Sequence, residues 1–234
     1  MKTINGPTLC QFLDIHRDVL QNVDLSIPVA LFNSDFIHAL SKLRCLKIFN
    51  LYVDSTILVP YRDFPVDNDP SFSENVDRLI GGLPELLEFS LNGVLLSDPV
   101  LQVIASFKSL KKLTLHSGHS VYLNKIEVAS LTVTQHGMLQ FVNDLKQHCT
   151  FLQHLELHNF TYSLDDSVLP SVGNIESIKT LVINNNISIT DTGLKMLVDR
   201  IALNCPPPDL YIPYCSKVTT AARQYAKVRL GKDI

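Results

Sequence analysis

The chain has 234 residues, of which 46% are hydrophobic and 18% charged, so it is long enough and apolar enough to bury a sizeable core. This composition excludes an intrinsically disordered chain, whose balance of apolar and charged residues would be the reverse. The net charge of −3 and the dispersed basic residues give no general attraction to nucleic acid or to an anionic membrane.

The cysteines and the first residues favour an intracellular protein. The chain has five cysteines, an odd number, and no two of them have C-x-x-C spacing, so we expect reduced thiols in a reducing compartment. The residues after Met1 lack the apolar core of a signal peptide, and no apolar run of about 18 residues predicts a membrane span. We therefore expect a cytoplasmic or nuclear location.

A short apolar pattern recurs along the chain and predicts a strand at each occurrence. Each unit has three apolar residues at spacings of three and two, so the last two share one face of a strand, with one outward-facing residue between them. The units are Leu20-x-x-Val23-x-Leu25, Leu43-x-x-Leu46-x-Ile48, Leu86-x-x-Phe89-x-Leu91, Leu110-x-x-Leu113-x-Leu115, a weaker Leu123-x-x-Ile126-x-Val128, Leu152-x-x-Leu155-x-Leu157, Ile178-x-x-Leu181-x-Ile183 and Leu210-x-Ile212.

A second pattern follows several strands and predicts helix starts. A polar residue precedes an apolar-periodic segment in Leu96-Ser-Asp98, Leu164-Asp-Asp166 and Ile189-Thr-Asp191, with a looser copy in Val133-Thr-Gln-His-Gly137. We expect Asp191 to cap the helix that follows it. Two signals in phase indicate a repeat architecture that alternates strands and helices.

The ends and one interruption complete a single predicted domain over 1–234. Residues 8–20 are predicted to form an N-terminal helix or half repeat, and 220–234 a C-terminal capping helix. Three prolines and several acids predict an exposed inserted loop at 60–73, before a helix at 74–80. After the strand residues Ile183 and Ile212, Asn186 and Cys215 occupy the same turn position, where we expect both to be buried and Asn186 to bond backbone groups.

These motifs resemble the leucine-rich repeat L-x-x-L-x-L-x-x-N/C-x-L, most clearly over 178–219. Cys215 in the asparagine slot resembles the cysteine-containing repeats of F-box leucine-rich-repeat proteins, within the ribonuclease-inhibitor-like class. The resemblance implies an α/β solenoid with parallel strands on the concave face and helices on the convex face.

For function, the resemblance implies a protein-interaction module, either the substrate-recognition part of an F-box-type ubiquitin-ligase receptor or a scaffold or regulatory protein unrelated to ubiquitination. Leu83-Pro-Glu-Leu-Leu87 resembles the opening of an F-box, but it continues directly into a repeat strand, so we interpret it as part of a repeat. No phosphate loop, nucleophile elbow or Ser-His-Asp set has a recognisable spacing, so we expect neither an enzyme nor a cofactor.

The residues that flank the inward apolar positions are predicted to form the concave binding face. A central patch with two outer aromatic anchors is expected to contact another protein, and its histidines are expected to change binding between about pH 5.5 and 7. We expect no metal site, because residues 154, 156 and 158 fan out along one strand and residue 116 is predicted to lie two strands away. The patch is Lys112, Thr114, His116, Lys125, Glu127, His154, Glu156 and His158, with Phe49 and Tyr211 as the anchors.

Overall fold

The computed structural model describes residues 6–28, 34–54, 83, 85–92, 96–117 and 133–234. Strands and helices alternate along these residues. The strands are β1 (Asn22–Pro28), β2 (Ile48–Asp54), β3 (Glu88–Asn92), β4 (Lys112–His116), β5 (His154–His158), β6 (Thr180–Asn184) and β7 (Asp209–Tyr211). The helices are α1 (Gly6–Ile15), α2 (Ser34–Leu40), α3 (Asp98–Ile104), α4 (Gln135–His148), α5 (Leu169–Gly173), α6 (Asp191–Ile201) and α7 (Thr220–Leu230).

The seven strands form one parallel sheet in the order β1 to β7, so every strand pairs with its neighbours in the chain. Helices also pack against helices in chain order, from α3 through α7, and α1 packs against α2. This arrangement is the α/β architecture that the repeat pattern predicts. At the inward position, seven matching residues stack across the sheet: Val23, Phe49, Phe89, Leu113, Leu155, Leu181 and Leu210.

The core has a four-residue signature that extends the three-residue pattern by one apolar residue. In β2 and β3 the same spacing of three, three and two recurs 40 positions apart, and all eight side chains are buried. Two of these residues precede the strand and fill the turn beneath it, and the other two lie on the inward face of the strand. The quartets are Leu43, Leu46, Phe49 and Leu51, then Leu83, Leu86, Phe89 and Leu91.

The structure corrects the predicted register of the second strand by three residues. Phe49, expected on the concave face, pairs with Phe89 and is 0% exposed. The physical reason is that Leu46, Phe49 and Leu51 also satisfy the spacing and bury the larger side chains. Tyr52, near the end of this strand, faces the concave side and is 45% exposed.

The predicted position of a strand at 123–128, between the strands that contain residues 112–116 and 154–158, is wrong. Strand β4 pairs directly with β5, with Lys112 opposite His154, so no further strand lies between them. Lys125 and Glu127 themselves lie outside the described residues, as do the predicted loop at 60–73 and the predicted helix at 74–80.

Helix starts are linked from one repeat to the next by an aspartate–threonine bond. The N-cap of α6 is Thr190, whose side chain accepts from the N–H of Thr192, so the expectation that Asp191 caps this helix is wrong. Asp191 instead accepts from both the N–H and the hydroxyl of Thr219, the N-cap of α7, at 2.7 Å each. The carboxylate thus fixes the start of the next helix and not of its own.

The same link occurs at two earlier junctions. Asp166 accepts from the N–H and the hydroxyl of Thr190, at 2.8 and 2.5 Å, and Asp98 makes the equivalent pair of bonds to Thr134, at 2.8 and 2.7 Å. Between α4 and α5 the roles are exchanged, because Gln135 occupies the aspartate position and donates to Asp165 at 2.7 Å. The bond between successive helix starts is therefore kept even where glutamine replaces the aspartate and aspartate replaces the threonine.

The turn after each late strand is held by a side chain that reaches back to the preceding repeat. Asn186 is fully buried and its Nδ2 donates to the carbonyl oxygens of Asn184 at 3.0 Å and Leu157 at 3.5 Å. Cys215 is buried at the matching position, and its thiol donates to the carbonyl of Ile183 at 3.6 Å. These bonds tie the turn to backbone oxygens of its own strand and of the strand before it.

Helix α7 packs against α6 at the end of the array. Asp199 of α6 accepts from the Tyr225 hydroxyl at 2.6 Å and from Arg229 at 3.2 Å. Beyond the helix, Lys232 donates to the carbonyl of Pro207 at 2.7 Å and to Asp209 at 2.8 Å. Among the described residues, no helix is long and apolar enough to cross a membrane.

Candidate binding face

The concave face is formed by the strand residues that alternate with the inward positions. Its middle row runs across all seven strands, so these side chains stand side by side on one surface. In strand order the middle row is Asp24, Asn50, Ser90, Thr114, Glu156, Val182 and Tyr211.

The centre of this face is a carboxylate held by two histidines of its own strand. His154 Nε2 donates to Glu156 Oε1 at 2.5 Å, and His158 Nε2 donates to Glu156 Oε2 at 3.1 Å. Partial burial acts to raise the pKa of Glu156, but the bonds and charges of the two histidines outweigh it and hold the pKa below its ordinary value. Glu156 is therefore a fixed negative charge in the middle of the sheet.

His158 is positioned by three neighbours. Its ring stacks on that of His116, with centroids 3.8 Å apart and planes 8° from parallel. Its Nε2 lies 3.1 Å from Glu156 Oε2, and its Nδ1 lies 3.0 Å from Asn184 Nδ2. Asn184 Oδ1 is buried without a hydrogen-bond partner among the described residues.

His116 stays neutral at physiological pH. The pKa of its ring is lowered to about 4, mainly by burial and then by the neighbouring His158, while Glu156 acts in the opposite direction. The expected titration of the histidines between pH 5.5 and 7 is therefore wrong for His116. The cause is the stack, which places the ring against another histidine and away from water.

A pH dependence of stability follows from this pKa. Between about pH 6.5 and about 4 the unfolded chain carries a proton on His116 that the folded chain does not. The free energy of unfolding should therefore fall as the pH drops through this range, and His116→Gln should make the fall shallower. Urea unfolding at half-unit pH steps measures it, with exposed His136→Gln as the control that should match the unmodified protein. Parallel slopes for the His116 variant and the unmodified protein would contradict the assignment.

The predicted contact residues differ in how far a partner can reach them. Lys112 and Tyr211 are exposed, and His116, His154 and Glu156 are half-buried. Thr114 and His158 are only 8% and 9% exposed, so they support the face more than they offer contacts. The structure brings residues 112 to 116 and 154 to 158 together on adjacent strands, which is closer than the sequence predicts.

Two exposed aromatic residues were missed by the sequence analysis. Tyr52 lies in β2 on the concave face and takes the place predicted for Phe49. Tyr214 is 78% exposed in the turn after β7 and has a φ of 57°. The matching turns carry Asn159 and Asn185 at positive φ, a residue type that tolerates this conformation, whereas tyrosine does so only with strain. Alignment of the three turns is the signal that would have found Tyr214.

The histidine cluster bonds to itself and not to a common centre. His116 lies one strand from His158, so the predicted separation of two strands is wrong. Even so, within the ranges that the structure describes, no group of three or more His, Cys, Asp or Glu residues is arranged to hold a metal ion.

Comparisons with known proteins bear on the fold alone. No family model matches the sequence, and no curated protein matches it. Among solved structures, a chain of the crystal structure of the Rad7 and Elc1 complex in yeast is similar, with a TM-score of 0.53 and 18% sequence identity. The match covers 96% of this chain and 50% of that chain, so this chain spans about half the length of its structural relative.

The class that these observations define is an α/β leucine-rich-repeat solenoid, with seven parallel strands in one sheet and helices on the other side. The repeat signature, the strand order and the asparagine or cysteine in the turn all agree with it. At 18% identity the structural relative supports the fold and not a shared activity.

Proposed function

We propose that this chain is a protein-recognition module, not an enzyme, and that the concave face binds a segment of another protein. The observation that carries the proposal is the continuous middle row, in which a fixed carboxylate, an apolar valine and an exposed tyrosine stand on consecutive strands. Such a row offers a charge, an apolar contact and an aromatic anchor to one extended ligand. The structural relative occurs in a complex of two proteins, which agrees with a role in assembly.

The charges of the face favour orientation over attraction at long range. Lys112 lies beside Glu88 on one strand and His154 on the other, and Glu156 lies in the next row. Charges of alternating sign at short distances favour binding of the ligand in one register and disfavour the others. The net charge of −3 contributes little to long-range attraction of the ligand.

Photocrosslinking tests where the partner binds. A benzoylphenylalanine at position 211, which keeps an aromatic group on β7, should crosslink a protein partner in cells. The same group at position 203, exposed beyond the end of α6 and away from the sheet, is the matched control and should not crosslink that partner. Crosslinking from position 203 alone would place the interface on the helical side and remove the proposal.

The partner class that we propose is a substrate of a ubiquitin ligase, with this chain as the recognition part of an F-box-type receptor. The support is the cysteine of the last repeat, which resembles F-box leucine-rich-repeat proteins. The second candidate is a regulatory scaffold without a link to ubiquitin. All five cysteines are free thiols, which suits the intracellular location that either candidate requires.

Affinity purification of the tagged protein from cells separates these two candidates. A receptor should bring a Skp-type adaptor and a cullin with it in stoichiometric amounts, and a variant damaged on the concave face should retain both while it loses the substrate. Recovery of a partner without adaptor or cullin would favour the regulatory scaffold.

A further inference from the structure

The residues that immediately precede the strands form a row of their own along the amino-terminal edge of the sheet. Each member's carbonyl accepts from the N–H of the next at 2.7 to 2.8 Å, so the row is continuous from β2 to β6. Adjacent parallel strands are about 4.8 Å apart, which places the lysines of this row, on every second strand, roughly 10 Å apart. The row is Lys47, Leu87, Lys111, Gln153 and Lys179.

The lysines of this row have no charged partner among the residues that the structure describes. Lys111 and Lys179 are exposed and Lys47 is half-buried, and none of the three has an ion pair or a side-chain hydrogen bond within the described ranges. Other lysines of the protein do find carboxylates nearby: Lys42 with Asp14, Lys227 with Asp233 and Lys232 with Asp209. The edge therefore keeps its positive charge available to a ligand.

The surroundings of the row narrow the kind of ligand that fits. Gln153, exposed between Lys111 and Lys179, offers amide groups that can bond to a peptide backbone. Phe151, two residues earlier, is 60% exposed and offers an apolar surface beside the same stretch. Two exposed acids lie in the turns beside the row, Glu85 before Leu87 and Glu176 before Lys179.

We propose that this lysine row binds an extended, acidic segment of the partner protein, with carboxylates three residues apart. A chain in the extended polyproline II conformation advances about 3.1 Å per residue and repeats its side-chain direction every three residues, so acidic side chains at every third position match the lysine spacing of roughly 10 Å. The row lies directly beside the concave face, and the inference rests on the proposed function in that it assigns an acidic character to that partner. A nucleic acid fits less well, because its binding sites carry a larger basic patch, whereas the basic residues of this chain are dispersed.

A fluorescent 12-residue peptide of serine and alanine with glutamate at every third position is the probe, measured by anisotropy at low salt. The wild-type protein should bind it saturably, and Lys111→Gln/Lys179→Gln should bind about tenfold more weakly. The control Lys146→Gln/Lys217→Gln removes the same charge from exposed sites outside the row and should bind as the wild type does. A peptide of the same composition with its glutamates consecutive should bind more weakly.

Several results would overturn the proposal. These are no saturable binding by the wild type, an equal loss in the control variant, tighter binding of the consecutive peptide, or tighter binding of a single-stranded DNA with four phosphates. Its failure is separable from that of the proposed function. A partner that crosslinks at position 211 while the probe fails to bind removes the lysine row alone, and probe binding without such a crosslink removes the concave site alone.

Discussion

Phe49→Ala should lower the free energy of unfolding by about 3–5 kcal/mol, the cost of emptying a buried phenylalanine site. The ring is 0% exposed and stacks on Phe89, with centroids 5.7 Å apart, in a row that continues to Phe107 at 5.8 Å. Removing the ring leaves a cavity in the core and takes from Phe89 one of its two aromatic neighbours. Urea unfolding followed by far-ultraviolet circular dichroism measures the change.

Tyr52→Ala is the matched control, because it removes an aromatic ring of similar size from the same strand. Its side chain is 45% exposed on the concave face, so the loss should stay below about 1 kcal/mol. The sequence-based register places Phe49 on the concave face and therefore predicts only a small effect at position 49. A larger loss for Tyr52→Ala than for Phe49→Ala would restore that register.

Gly193→Ala should cost about 2–4 kcal/mol, although alanine is the better helix former by about 1 kcal/mol. A Cβ on Gly193 would lie 2.0 Å from Asp166 Oδ1 and 2.9 Å from the Asp166 Cα, so it strikes the backbone of the preceding repeat as well as the carboxylate. The carboxylate must then leave Thr190, and the first turn of α6 loses its link to α5. Chemical denaturation measures the loss.

A double-mutant cycle separates the clash from a general intolerance of substitution in this helix. In an Asp166→Ala background the carboxylate is gone, and Gly193→Ala should cost measurably less than in the wild type. Thr192→Ala, at the exposed neighbouring position, should stay within about 0.5 kcal/mol of the wild type. Equal costs of Gly193→Ala in both backgrounds would mean that Asp166 does not press on this helix.

The sequence predicts the later repeats well because their signals are redundant. In β6 and α6 an apolar triplet, a turn asparagine and a polar helix start all agree, and the strand and helix begin within one residue of where they are expected. The class of fold follows from these units, since a strand that recurs with a helix after it can bury its face only against another copy of itself.

Register was ambiguous where apolar residues are in excess. In β2 the triplets ending at Ile48 and Leu51 overlap, and spacing alone does not choose between them. What decides is the match to Phe89 and Leu91 on the next strand, which requires the longer quartet to be compared across repeats. The error moved Phe49 from the core to the binding face.

The contacts at the centre of the candidate site depend on the order of the strands in the sheet, which the spacing of the apolar residues does not reveal. His116 and His158 stack because β4 and β5 are neighbours, whereas the apolar spacing in 123–128 predicts a further strand between them. Helix caps were misassigned for a similar reason, because an aspartate after a threonine suits a cap of its own helix as well as a bond to the next repeat. The spacing of residues within one repeat does not show which residues make contacts between repeats.

The affinity of the partner identified from position 211 for a concave double variant tests the central claim most directly. Glu156→Ala/Tyr211→Ala removes the fixed charge and the exposed ring of the middle row, and it should bind that partner about 30-fold more weakly or worse in calorimetry. Asp144→Ala/Leu203→Ala removes an acid and an exposed apolar side chain from the helical side, and it should bind within about twofold of the wild type. Full affinity of the concave variant, in a protein whose thermal unfolding is unchanged, would contradict the assignment of the concave face as the binding surface.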